Sequence, residues 1–132
     1  MGSQTMSEII DHAGITVTDF DASLKFYTAA LGTLGIKSLV NFEYEGARHA
    51  GFGTTKADFW IGTSPKRTSG VHLAFSARSR AEVTAFHSAA LAAGERDNGG
   101  PGLRTEYSAD YFAAFVSDPD GHNIEAVCRV HE

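Results

Sequence analysis

Asp11-His12-Ala13-Gly14-Ile15-Thr16-Val17 and, sixty residues further on, Val71-His72-Leu73-Ala74-Phe75-Ser76-Ala77 decide how this chain is read. At the same offset Phe26 falls on Phe86, Ala29 and Ala30 on Ala89 and Ala90, and Leu31 on Leu91. The spacing from histidine to phenylalanine is 14 residues in both copies, and from histidine to leucine it is 19. A set of matches at one fixed shift indicates two copies of a single supersecondary unit.

Each copy opens on a short alternating segment. Ile15 and Val17 share one face and Gly14 and Thr16 the other, the period of a half-buried strand. A helix follows. Asp19 is an N-cap, and Leu24, Tyr27 and Leu31, widened by Phe26 and Ala30, make its apolar stripe. In the second copy Ser79-Arg80-Ala81-Glu82 has the form of a capping box, with Val83, Phe86, Ala90 and Leu91 as the inner face. Gly32 and Gly94 are expected at the helix ends. The period then falls to two. Copy one offers strands over Ile36–Glu43, Ala47–Phe52 and Asp58–Ile61. Copy two offers a weak strand near Arg96, then Asp110–Val116 and Asn123–Cys128, the last two joined by the turn former Ser117-Asp118-Pro119-Asp120-Gly121. Each unit is therefore β-α-β-β-β.

A chain of 132 residues with 42% hydrophobic and 20% charged residues has material for one cored domain and not for two ordinary ones. The net charge of −5 supplies no overall basic field for nucleic acid or an anionic membrane. One cysteine, Cys128, excludes an intrachain disulfide and fits a reducing compartment. No apolar run is long enough to span a bilayer, and the first six residues lack the apolar segment of a secretion signal. Residues 1–6 read as a leader or remnant, 7–132 as one domain (module one about 9–62, module two about 70–130), and the location as cytoplasmic.

Two paired units with a histidine in the first strand of each resemble the vicinal oxygen chelate superfamily: glyoxalase I, bleomycin-resistance proteins, extradiol dioxygenases and fosfomycin-resistance thiol transferases. The resemblance runs from Ile9 to Val130. It is carried by the His12 strand leading to Ser23-Leu24-Lys25-Phe26-Tyr27, by Gly70-Val71-His72-Leu73-Ala74-Phe75, and by Phe115-Val116-Ser117-Asp118-Pro119-Asp120-Gly121-His122-Asn123-Ile124-Glu125. It implies an α+β fold in which two tandem βαβββ modules form a cupped mixed β-sheet with flanking helices. It also implies metal ligands at His12, His72 and Glu125. The fourth ligand place falls on Trp60, and an indole cannot replace a carboxylate there, which departs from the four protein ligands of glyoxalase I.

The residues themselves bear on this. Glu125 sits in the otherwise apolar strand Ile124–Val127, and an inward carboxylate needs a cation, a donor or a raised pKa. Two imidazoles and a carboxylate suit a divalent Fe, Mn, Ni, Co or Zn and leave positions for water and substrate. Trp60 is a candidate aromatic wall for a substrate. Arg104, after the glycine-rich loop, is a candidate partner for a carboxylate or phosphonate. Tyr107 and Tyr111 are candidate catalytic proton donors. His49, His87, His122 and His131 read as structural or solvated, Asp118 and Asp120 as turn formers, and Lys25 and Arg80 as solvated helix charges.

The expectation is a metal-dependent enzyme of dioxygenase or lyase/isomerase type. Its substrate would be a small metabolite or xenobiotic with vicinal oxygens, and it would work as a homodimer with neither nucleic-acid nor membrane partners. The alternative is a metal-free, bleomycin-resistance-like protein that sequesters an aromatic drug or metabolite. A third reading is a subunit or regulatory domain.

Overall fold

The alternation expected around His12 and His72 forms strands because one face of each segment is apolar: Ile15 and Val17 are buried, and Leu73 and Phe75 pack half-buried against the core. The computed structural model describes residues 10–64 and 70–132, so the leader over 1–6 lies outside the described residues. Module one runs β1 (Ala13–Val17), α1 (Phe20–Gly32), β2 (Lys37–Tyr44), β3 (Ala47–Gly53) and β4 (Ala57–Thr63). Module two runs β5 (His72–Ser76), α2 (Arg80–Ala92), β6 (Arg96–Asp97), β7 (Gly102–Leu103), β8 (Phe112–Ser117) and β9 (Asn123–Cys128).

The strands make two mixed sheets, one per module, and the repeat is visible in their order. Sheet one is β1-β4-β3-β2 and sheet two is β5-β9-β8-β6, with β7 also on β8. The first strand of each module lies parallel to the last, and the other pairs are antiparallel. The fold is thus α+β, as the repeat implies. Module two lacks a long counterpart of β2. The run Asn98-Gly99-Gly100-Pro101-Gly102 breaks that segment into two-residue pieces, because glycine weakens a ladder and proline has no amide to donate.

Both helices cover one side of the sheets, pack on each other, and close a single apolar core. Phe26, Tyr27, Leu31, Phe52 and Ile61 come from module one, and Val83, Phe86, Val116 and Ile124 from module two. Each helix starts where the sequence indicates: the Asp19 carboxylate accepts from the Ala22 amide and Ser79 Oγ from the Glu82 amide. Two details differ. Glu82 turns to the Arg78 amide and guanidinium, so the box closes one residue early and an ion pair competes for the carboxylate. Gly94 does take the left-handed conformation (φ +95°), but Gly32 ends inside α1, and Gly35 (φ +79°) makes the corresponding turn. Ser79→Ala is expected to cost about 1 kcal/mol by leaving the Glu82 amide without its acceptor. Urea denaturation checks this, and an unchanged midpoint would show that the cap is replaced by water at no cost.

The Ser117–Gly121 turn does more than reverse the chain. Asp118 is buried, accepts from the amides of Asp120 and His122, and receives the Tyr27 hydroxyl at 2.5 Å. Asp120 accepts from Thr18 Oγ1 at 2.7 Å. A turn of module two is thereby tied to α1 and the end of β1 in module one. Burial, then the Asp118 charge, pushes the Tyr27 phenol well above its ordinary pKa. Arg80 is not a solvated charge: it lies over the Phe112 ring, 3.8 Å from Asp110.

Candidate functional site

Strand alternation places the chemistry on the sheet face opposite the helices. In β9, Ile124, Ala126 and Cys128 enter the core, so Asn123, Glu125 and Val127, with Arg129 just beyond, point the other way. His72 starts the parallel neighbour β5, and Phe115 lies on β8 directly opposite Glu125. Tyr107 and Tyr111 come over from the segment between β7 and β8. Together His72, Tyr107, Tyr111, Phe115, Asn123, Glu125 and Arg129 line a cavity of about 560 Å³.

Within it the Glu125 side chain is only 2% exposed, yet its oxygens are engaged. Tyr111 donates its hydroxyl to Oε2 at 2.5 Å, and His72 Nε2 stands 3.1 Å from Oε1. The other ring nitrogen of His72, Nδ1, faces the Asn123 carbonyl at 3.1 Å. A carbonyl only accepts, so Nδ1 carries the proton and donates, which leaves the Nε2 lone pair facing a carboxylate oxygen. Two acceptors at that distance need a positive particle between them, a proton or a metal ion. Donors each about 2.1 Å from one ion and at right angles lie about 3 Å apart. The pair therefore fits two adjacent ligand places, and the Nδ1–carbonyl bond is the outer support that ligating histidines commonly have. Burial, then the hydrogen bond to Glu125 and its charge, pushes the Tyr111 pKa up to about 12, so at neutral pH Tyr111 is a phenol with a proton to donate.

The structure brings together four of the seven residues singled out from sequence: His72, Glu125, Tyr107 and Tyr111. His12 and Trp60 lie in module one, and Arg104 stands beside the cavity without lining it. His12 is exposed at the foot of β1, with Nδ1 2.9 Å from Asp11, which Lys56 also holds at 2.6 Å. The Lys56 and His12 hydrogen bonds lower the Asp11 pKa to about 2. No group of three or more His, Cys, Asp or Glu side chains that could hold a metal exists among the described residues; of the three expected ligands, one chain brings together two, His72 and Glu125. Arg104 spends both terminal nitrogens on its own loop, donating to the Gly100 and Gly102 carbonyls while its guanidinium covers Phe115.

Trp60 is on sheet one, in the place equivalent to Glu125. Gly14 pairs with Trp60 as Ala74, sixty residues on, pairs with Glu125. Its indole lies over Gly51 on β3, where an added Cβ would come within 2.9 Å of the ring. His49 lies likewise over Gly62, and Phe42 stacks on His49 with its ring centroid 5.1 Å away. The open face of sheet one is thus paved with rings over glycines, where that of sheet two carries an imidazole and an acid.

Phe115, Asn123 and Arg129 were not singled out from sequence. The signal was available in the alternation: once Glu125 is taken as inward, Asn123 and Arg129 share its face, two and four residues away. A second cleft of about 750 Å³ opens between the end of α1 and β5, lined in part by Ile36, Asp58, Phe75 and Arg78. It contains no histidine, and Arg78 is committed to Glu82.

The comparisons agree with this architecture. The solved glyoxalase/bleomycin resistance protein from Albidiferax ferrireducens T118 is 30% identical, with 93% of this chain and 100% of that one covered at a TM-score of 0.71. A glyoxylase/bleomycin resistance protein/dioxygenase domain from Frankia sp. EAN1pec shares the fold at 19% identity (94% and 98% covered, TM-score 0.70). Glyoxalase I from Zea mays does so at 22% identity, with 89% of this chain but 43% of that longer one covered, at a TM-score of 0.70. No curated protein matches the chain. No helix among the described residues is long and apolar enough to cross a membrane. The family model matches residues 9–126, nearly the full length, and the chain belongs to the Glyoxalase/Bleomycin resistance protein/Dioxygenase superfamily.

Proposed function

We propose that two copies of the chain pair so that the open face of sheet one in one copy covers the open face of sheet two in the other. His12 of the second copy then joins His72 and Glu125 around a divalent cation. The single observation that carries the reading is the 3.1 Å approach of the His72 Nε2 lone pair to Glu125 Oε1, the spacing of two neighbouring ligands of one cation. The sixty-residue repeat supports it, because a two-fold pairing sets equivalent strands against one another. So does β2, an edge strand exposed along its whole length and carrying Leu39, Val40, Phe42 and Tyr44. An exposed apolar edge calls for cover.

The bound ion would supply Lewis-acid polarisation to a small substrate with two adjacent oxygens, in dioxygenase or lyase/isomerase chemistry. The chain's own residues do the rest. Tyr111 fixes the Glu125 carboxylate through Oε2 and keeps its proton at neutral pH. Phe115, stacked near His72, and Tyr107 wall the cavity and limit water. Trp60 of the second copy closes it with an aromatic surface.

A complementation experiment tests the shared site. His12→Ala and Glu125→Gln are each expected to bind less than a tenth of the wild-type metal; mixed after unfolding and refolding, they should recover about a quarter of it, since half of the dimers then carry one intact site. No recovery in dimers shown to be mixed would place the site within one chain. The ring-paved face of sheet one favours one other reading, a metal-free binder of flat aromatic molecules. Ligand affinity unchanged by EDTA in protein that takes up no transition metal would select it.

A further inference from the structure

The cavity holds a guanidinium with no anion. Arg129 lines it, directly after β9; among the described residues no carboxylate lies within 4 Å of it, and its guanidinium lies over the face of the Tyr111 ring, 4.8 Å from the centroid. The other arginine near this cavity, Arg104, is spent on its loop carbonyls, and Arg48, Arg78 and Arg80 each have a carboxylate within 4 Å. Tyr111 connects the two charges: its hydroxyl touches Glu125 while its ring lies under Arg129. The cation is therefore about one aromatic ring away from the His72–Glu125 pair. Phe115 and Tyr107 add two more aromatic rings to the lining beside Tyr111.

We propose that the ligand of this cavity is an aromatic carboxylate. Its acid group is held by Arg129, its ring lies among Phe115, Tyr107 and Tyr111, and its oxygen-bearing edge faces His72 and Glu125. This rests on the reading of the cavity as the substrate site, and it names the substrate class and the residue that selects it. A planar guanidinium is suited to the bidentate grip of a carboxylate, which a neutral isostere cannot return. The anion goes to the Arg129 end because the carboxylate of Glu125 occupies the other.

Benzoate and benzamide, matched in shape and differing in charge, test it. Both are titrated by NMR into the full-length protein in EDTA, so that no metal takes part. Wild type is expected to prefer benzoate by about tenfold or more, the size of a charge-assisted pair. Arg129→Gln should abolish the preference, leaving benzamide affinity within about twofold, and Arg129→Lys should keep part of it. Arg129 is exposed, so the variants should fold; overlapping amide spectra away from the cavity confirm that. Equal binding of the two probes by wild type, an unchanged preference in Arg129→Gln, or a preference lost in Arg104→Gln instead would each overturn the assignment. Loss of the metal reading alone would leave these titrations unaltered.

Discussion

Glu125→Gln should lower the affinity for a divalent transition metal by at least about a hundredfold while leaving the fold intact. Losing even an outer support of a metal ligand costs about ten- to a hundredfold, and under the proposed function a ligand itself loses its charge. The amide preserves the shape and still accepts from Tyr111, so no cavity opens. Its NH2 group can donate to the His72 Nε2 lone pair, so neither neighbour is left without a partner. Metal titration followed by elemental analysis, run beside thermal denaturation, separates the readings. If the positive particle between His72 and Glu125 is only a proton, the variant changes stability and leaves metal content where it was. Affinity should also fall with decreasing pH in the wild type, because a proton competes for the Nε2 lone pair. A metal affinity unaffected by Glu125→Gln would remove this pair from any cation site.

Asp118→Ala should destabilise the folded chain by about 4 kcal/mol, more than a substitution in a surface turn normally does. Three buried or half-buried donors converge on this carboxylate: the Tyr27 hydroxyl and the amides of Asp120 and His122. Alanine strands all three, and each unmet donor costs about 1–3 kcal/mol, with the amides partly relieved by water. Tyr27→Phe removes one donor together with its bond and should cost only about 1–2 kcal/mol. The double variant should fall short of the sum, since the two act through one bond. Urea denaturation of the four proteins reads this directly, and additive losses would show that the hydroxyl and the carboxylate act independently. The same pair gives a pH dependence with a definite sign. In the fold the Tyr27 phenol holds its proton above the ordinary tyrosine value of about 10, whereas in the unfolded chain it ionises there, so stability falls as pH rises beyond about 10. Tyr111, pushed up to about 12, adds to that loss between about 10 and 12.

Much of the fold was legible because its determinants are local or repeated. Asp19 and Ser79 cap helices through amides three residues away, and Asn123–Cys128 is a short apolar run set off by the Ser117–Gly121 turn, so its bounds can be read directly. His72 and Glu125 were legible for a related reason: an acid in an apolar strand and a histidine repeated at one offset are both anomalies of pattern. The role of Arg104 was a different matter. A cation after a glycine-rich loop suggests an anion site, yet the same loop offers two free carbonyls, and only the path of the backbone shows that they take the guanidinium first. Asp118 looked like a turn former and is one, but its link to Tyr27 spans 91 residues, beyond any local signal.

The sequence by itself determined the two modules, the strand carrying Glu125 and the face on which each inward residue sits, since period and side-chain chemistry act over a few residues. Tertiary structure alone decided which of those faces meet. It drew His72, Tyr111 and Arg129 around Glu125, left His12 on another sheet, and spent one arginine while sparing another, because such pairings follow from how distant strands close and not from any spacing along the chain.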